Sequence, residues 1–228
     1  LGFNPDAFFA YLTNTYLLLG VVVTIWLTIV PMAAGVVLGL GIALMRMSRR
    51  RWASGAARFY IWLFRGTPLL IQLVIIYTGL PQLGIRFGVV TSALLALTCN
   101  EAAYLAEIMR SGFLAVPDGQ RDAARALGLS PRLTLMKVVL PQMLRIIVPQ
   151  LGNSVNGLLK ATSITSIISM EELMRRGQVL MQVRFEVLEV YAAAAVYYLV
   201  LTSLWDVVQR RLEKHYGRGH VLVVAEPA

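Results

Sequence analysis

The chain has 228 residues, 57% of them hydrophobic and 14% charged, with a formal net charge of +9 and a mean hydropathy of +0.68. A soluble domain carries roughly 45–50% apolar and about 25% charged residues, so a water-soluble globule is excluded and a membrane protein is expected. The single cysteine, Cys99, excludes an intramolecular disulfide.

In chain order, "NPDAFFAYL" opens as a short interfacial helix, with Asp6 near its start and Phe8, Leu12 and Tyr16 on one face. Between Asp6 and Arg46 lie 39 positions without a formal charge, well beyond the ~20 residues that cross a bilayer. A secretory signal has an apolar region of only about 7–15 residues, so this is a true span. The chain begins at Leu1 without methionine, and an N-terminal piece is expected to precede it. Five apolar spans follow from the pattern, at about 16–45, 59–80, 87–109, 144–169 and 187–208. The first would be ~45 Å long against a ~30 Å hydrocarbon core, so it should tilt or project, with a kink at Pro31.

Lysine and arginine orient these spans. Fifteen lie after spans one, three and five, among them Arg49, Arg50, Arg51, Arg121, Arg125 and the tail residues Arg210, Arg211, Lys214 and Arg218, against four on the opposite side. The N-terminus is therefore expected outside and the C-terminus in the cytoplasm. The same asymmetry accounts for the +9 charge as topology, which removes the case for a nucleic-acid partner.

The stretch "DAARALGLSPRLTLMKVVLP", 122 to 141, then falls on the cytoplasmic side. Pro117, Asp118 and Gly119 mark a turn, and "GQRDAARAL" reads as a short helix with Asp122 near its positive end. Gly128 suits the left-handed residue that closes a helix, and Ser130-Pro131 suits the cap and first position of the next. The second helix is expected from Pro131 to about Val139, ending where Leu140-Pro141 leads back to the membrane. Ala123, Ala124 and Ala126 leave the first helix narrow enough to lie in a partner's groove. From the residues alone, a solvated loop with incidental helicity is an equal reading.

This stretch resembles the cytoplasmic signature of ABC importer permeases: Asp122-Ala123-Ala124, then Gly128, then Val138, Leu140 and Pro141 at the family's offsets, with Asp for Glu and Val for Ile. A literal "EAA" at 101 to 103 is a decoy, because Glu107 stands where the motif needs glycine. "FRGTPLLIQL", "AYLAEIMRSG" and "LLKATSITSII" extend the resemblance toward the permeases for polar amino acids and opines. The resemblance implies an all-α polytopic fold with about five transmembrane helices and a two-helix coupling segment at about 113–141. It implies Asp122, Ala123, Ala124, Gly128, Leu140 and Pro141 as the contact with a cytoplasmic ATPase. It also implies a second permease subunit, the same chain or a sister, two ATPase subunits that use ATP and Mg, and an extracytoplasmic substrate-binding protein in a bacterial inner membrane.

In span four, Asn153, Asn156, Lys160 and Ser163 fall 3, 4 and 3 apart and so form one helical stripe. Pore lining and interhelical hydrogen bonding both fit. A lone ammonium at Lys160 costs about 2.5–3.5 kcal/mol at mid-membrane, so a carboxylate is expected nearby: Glu101, Glu107 or the solute's own. Thr162 belongs to the same candidate pathway. Many members of the resembled family carry acids where this chain has Ser154 and Ala161, so a neutral, acidic or opine-like solute, or a non-binding half of a heterodimer, is expected.

Arg65, Gly66, Thr67 and Pro68 are placed to break span two, with Arg65 and Thr67 offering donors to an anion or Arg65 simply reaching headgroups. Glu107 and Arg110 are spaced as an ion pair, and Tyr191, Tyr198, Thr202 and Trp205 share a packing face. The segment 170 to 186 reads either as a receptor for the binding protein or as a connector. Catalysis is not expected: the chain has no phosphate-cradling Gly-Lys-Ser/Thr loop, and His215 and His220 stand in the tail without clustered ligands. No metal or cofactor is expected in this chain. A secondary transporter or channel using Glu101, Glu107 and Lys160 is the alternative that the cytoplasmic signature argues against.

Overall fold

The structure, a computed structural model, describes residues 2–217; Arg218 and His220 of the tail lie outside the described residues. Its elements are α1 Pro5–Leu12, α2 Thr15–Arg46, α3 Arg51–Gly66, α4 Leu69–Leu83, α5 Val89–Ala115, α6 Asp118–Ala126, α7 Pro131–Ile168, α8 Leu173–Arg184 and α9 Val187–Gly217. No strand occurs among the described residues. Helices α2, α5, α7 and α9 are each long and apolar enough to cross a membrane, and the bent pair α3 and α4 makes a fifth candidate.

Three apolar cores are strung along α2. Leu17 joins Tyr11, Leu173 and Val190 at one end, Leu27 joins Leu73, Leu97 and Leu158 in the middle, and Ala43 joins Ile61, Met109 and Ile147 at the other. Lipid tails are as apolar as leucine, so close packing rather than escape from water must hold such helices together. Small residues permit it. A Cβ on Gly39 would stand 3.1 Å from the Ala102 carbonyl of α5, and one on Gly112 would stand 2.3 Å from Ile147 of α7.

The second span is not the single helix expected at 59–80. Pro68 has no N–H to give and forces Thr67 into an extended conformation, φ −118° and ψ 144°. The chain turns by 104° between α3 and α4. The peptide groups freed by this break are met by side chains. Gln72 donates Nε2 to the carbonyls of Phe64 (2.9 Å) and Thr67 (3.0 Å), and Asn100 of α5 donates Nδ2 to Phe64 O (3.2 Å) and Gln72 Oε1 (3.0 Å).

A second difference concerns Pro141. The short helix expected to stop near Val139 runs on through Leu140 and Pro141 into the membrane helix. Residues Leu135–Val139 form a π-turn, in which Leu140 N–H reaches back to Leu135 O. The wider turn relieves the clash that a proline ring makes with a preceding carbonyl in a regular helix, and Gln142 Nε2 donates to the Val138 carbonyl at 3.0 Å.

At the far end, α1 is clasped to α9. Asn4 N–H donates to Glu189 (2.7 Å), Tyr197 O–H to the Leu12 carbonyl (2.7 Å), and Tyr11 O–H to Glu186. The segment from 170 to 186 is a docked helix rather than a loose connector. Buried Glu172 caps α8 by accepting from Met174 N–H (2.9 Å) and Arg175 N–H (2.8 Å). Leu173 then packs so closely that a Cβ on Gly20 would lie 2.9 Å from its Cα.

Candidate functional site

A cavity of about 330 Å³ opens between α4, α5 and α7, lined by Asn100, Glu101, Tyr104, Ser154 and Ala161 among others. Glu101 is its only carboxylate. The side chain packs on Gly35 of α2, where a Cβ would sit 3.4 Å from Glu101 Cγ, and only 7% of the residue is exposed. Among the described residues, Glu101 Oε1 has no hydrogen-bond partner. A buried acceptor left unpaired is costly, so this oxygen is suited to a donor brought in by a ligand. At the rim, the Arg65 guanidinium lies over the Tyr104 ring, 5.2 Å from its centroid, within cation–π range.

The structure divides the stripe read from span four. Asn153 accepts from Gln209 Nε2 (3.2 Å) and Asn156 donates Nδ2 to Asp206 Oδ1 (3.1 Å), so both are engaged with α9. Thr162 is fully buried and donates to the Leu159 carbonyl at 2.7 Å. Ser163 donates to the Lys160 carbonyl at 2.7 Å. Lys160 is exposed and makes no ion pair among the described residues, so the expected pairing with Glu101 or Glu107 does not form. Glu107 instead binds Arg110 bidentately, at 2.8 to 3.1 Å.

Thr67 is a hinge residue more than a solute contact: it donates Oγ1 to the Leu63 carbonyl and accepts from Gln72 Nε2, both at 2.8 Å. Ser154 and Ala161, the positions without acids, both line the cavity. The carboxyl group of that cavity comes instead from Glu101 of α5. Sequence reasoning missed Gln72, Asn100 and Tyr104. Gln72 had a signal, as the only polar residue in "LLIQLVII".

In the other polar region, Asp122, Ala123 and Ala124 lie on α6, with Ala124 turned inward and 3% exposed while Asp122 pairs with Arg125 at 3.2 Å. Gly128 has φ +75°, a conformation that costs other residues about 1–2 kcal/mol. Ser130 accepts from Leu133 N–H and Pro131 stands at the first turn. Leu140 and Pro141 lie beyond the π-turn, on the continuous helix α7.

A helical membrane protein with a polar cavity among its spans and a short polar helix between two of them is the build of a transport permease. The chain belongs to the binding-protein-dependent transport system inner membrane component family, whose model matches residues 35–218. It is 40% identical to the arginine transport system permease protein ArgU of Corynebacterium glutamicum, over 94% of this chain and 72% of that one. It is 41% identical to the octopine transport system permease protein OccM of Rhizobium meliloti, over 87% and 85%. Among solved structures, it is similar to a crystal structure of an amino acid ABC transporter with histidines, at 37% identity and a TM-score of 0.83 over 88% of this chain and 94% of that one. An inward-facing methionine ABC transporter, 23% identical with a TM-score of 0.74, shares the fold. The chain is a permease subunit and not an enzyme, and its kinship does not favour a secondary transporter or channel.

Proposed function

We propose that this permease carries a polar amino acid or an amino-acid-derived solute such as an opine into the cytoplasm by alternating access. The observation that carries the substrate class is the Glu101 cavity with Arg65 at its rim. A zwitterion brings an ammonium group, which suits the unpaired Oε1 of Glu101, and a carboxylate, which suits a guanidinium. The amino-acid and opine relatives support the same class.

The N-terminus faces outward and the C-terminus inward, in keeping with the arginine distribution. Two such subunits, identical or sister chains, pair in the inner membrane, and exposed Lys160 meets the second subunit or the solute. An extracytoplasmic binding protein delivers the solute to the end where α1 and α8 lie. Asp122, Ala123, Ala124 and Gly128 present α6 to a cytoplasmic ATPase, and Leu140 and Pro141 join that contact to the membrane helix. ATP and Mg act in the ATPase subunits and none is held here.

Reconstitution with the ATPase subunits and loaded binding protein tests this reading. Uptake of amino acids or opines that depends on ATP is the expected result, and uptake that persists without the ATPase would overturn it.

A further inference from the structure

Where α5 ends and α6 and α7 begin, a second cavity of about 400 Å³ has a character unlike the first. Its walls include Phe113, Leu129 and Val139, its charged groups are Arg121 and Arg125, and no carboxylate lines it. Thr134 stands in it, 8% exposed, and its Oγ1 has no hydrogen-bond partner. This is unusual for a helical threonine, which ordinarily turns its hydroxyl to a carbonyl of the preceding turn, as Thr28 does to Thr24. Arg121 is held in place by Asp118 (2.8 Å) and by the Phe113 carbonyl (2.9 Å). Arg125 is tied only to Asp122 in a pair whose side chains are 73% and 69% exposed, and such a surface pair contributes little and is easily exchanged.

The geometry points to a binding site for an anion carried on an apolar body: the head between Arg125 and Thr134 Oγ1, with Arg121 alongside, and the body against Phe113 and Val139. A volume of this size falls within the range of small-ligand pockets, about 300–1,000 Å³. No carboxylate lines it among the described residues, since Asp118 and Asp122 meet Arg121 and Arg125 from outside the lining, and this separates it from the Glu101 cavity. The ligand is thus chemically distinct from the zwitterion proposed for transport, and the inference does not rest on that reading. The same head and body come from two sources, a soluble monocarboxylate of the cytoplasm and an anionic phospholipid of the inner leaflet. Because α6 forms one wall, an occupant sits where it can stiffen the two-helix segment.

The test uses the purified transporter complex in nanodiscs. Hexanoate binding is measured by equilibrium dialysis in phosphatidylcholine discs, and retained phosphatidylglycerol is counted by native mass spectrometry after transfer from mixed discs. Each is repeated with Thr134→Val, Thr134→Ser and Arg125→Gln. The expected result is saturable binding of one probe, weakened about fivefold or more by Thr134→Val and Arg125→Gln and retained by Thr134→Ser. Hexanoate alone identifies a soluble ligand, and phosphatidylglycerol alone a lipid. Binding of neither probe, as when the ATPase fills the cavity, overturns the proposal, as does binding indifferent to all three substitutions.

Discussion

Trp205 of α9 donates its indole N–H to the carbonyl of Gly152 in α7 at 2.8 Å, and the same glycine lies beneath Gln209, whose Cδ would stand 2.5 Å from a Cβ built there. The seam between these helices is therefore set by the absence of a side chain. Gly152→Ala must push aside the flexible end of Gln209 and its hydrogen bonds to Asn153 and Glu213, an expected cost of about 1–2 kcal/mol, seen as a lower unfolding temperature in detergent. Trp205→Phe should cost less, about 1 kcal/mol for one hydrogen bond. Equal stability of Gly152→Ala and the wild type would show that Gln209 moves aside freely.

Glu101→Gln keeps the shape of the carboxyl group but removes its charge. If the cavity binds an ammonium group, uptake at low solute concentration should fall about tenfold or more, since hydrogen bonds to charged groups contribute about 1.5–3 kcal/mol. Transport at saturation should fall less. Unaltered concentration dependence would place the solute elsewhere.

Gly128→Val places a β-branched residue at φ +75°, at a cost of at least about 1–2 kcal/mol. The strain falls on the junction of α6 and α7, away from the spans. Expected is a subunit that inserts and pairs normally while ATP hydrolysis and uptake lose their fixed ratio, read by measuring both in the same proteoliposomes. A preserved ratio would argue against α6 as the coupling contact.

Burial pushes the Glu172 carboxyl above its ordinary value of 4.5, against the opposing effect of the N–H groups of Met174 and Arg175 and the Tyr198 hydroxyl. A carboxyl whose folded value is raised binds protons more readily folded than unfolded, so its contribution to stability is greatest at acid pH and declines as pH rises through the folded value. Glu172→Gln should flatten this pH dependence of thermal unfolding from about pH 4.5 upward. An unchanged slope would assign the dependence to other groups.

The apolar helices and the short polar helix between them were legible in the sequence because each follows from local chemistry. Apolar runs, Gly128 with its positive φ and the Ser130-Pro131 cap are all decided within a few residues. The cavity was harder to read, because it depends on which face of α7 meets α9. Polarity at 3.6-residue spacing marked Asn153 and Asn156, yet Gln209 and Asp206, fifty or more positions away, claim both. Gly157 and Ala161, which line the cavity, carry no polarity to betray them. Pro141 looked like a terminator because a proline ends a regular helix, and the π-turn that absorbs it has no sequence signature as plain.

The continuity of α7 has a mechanical meaning. A helix of 38 residues is ~57 Å long at ~1.5 Å per residue, and near its middle Ile147 packs where a Cβ on Gly112 of α5 would stand. Ile147 divides the rod into nearly equal arms, 16 residues back to Pro131 and 21 forward to Ile168. One unbroken helix thus runs from the residues beside α6 to Ile164, which lines the Glu101 cavity, so the polar segment and the cavity wall share a single rigid element.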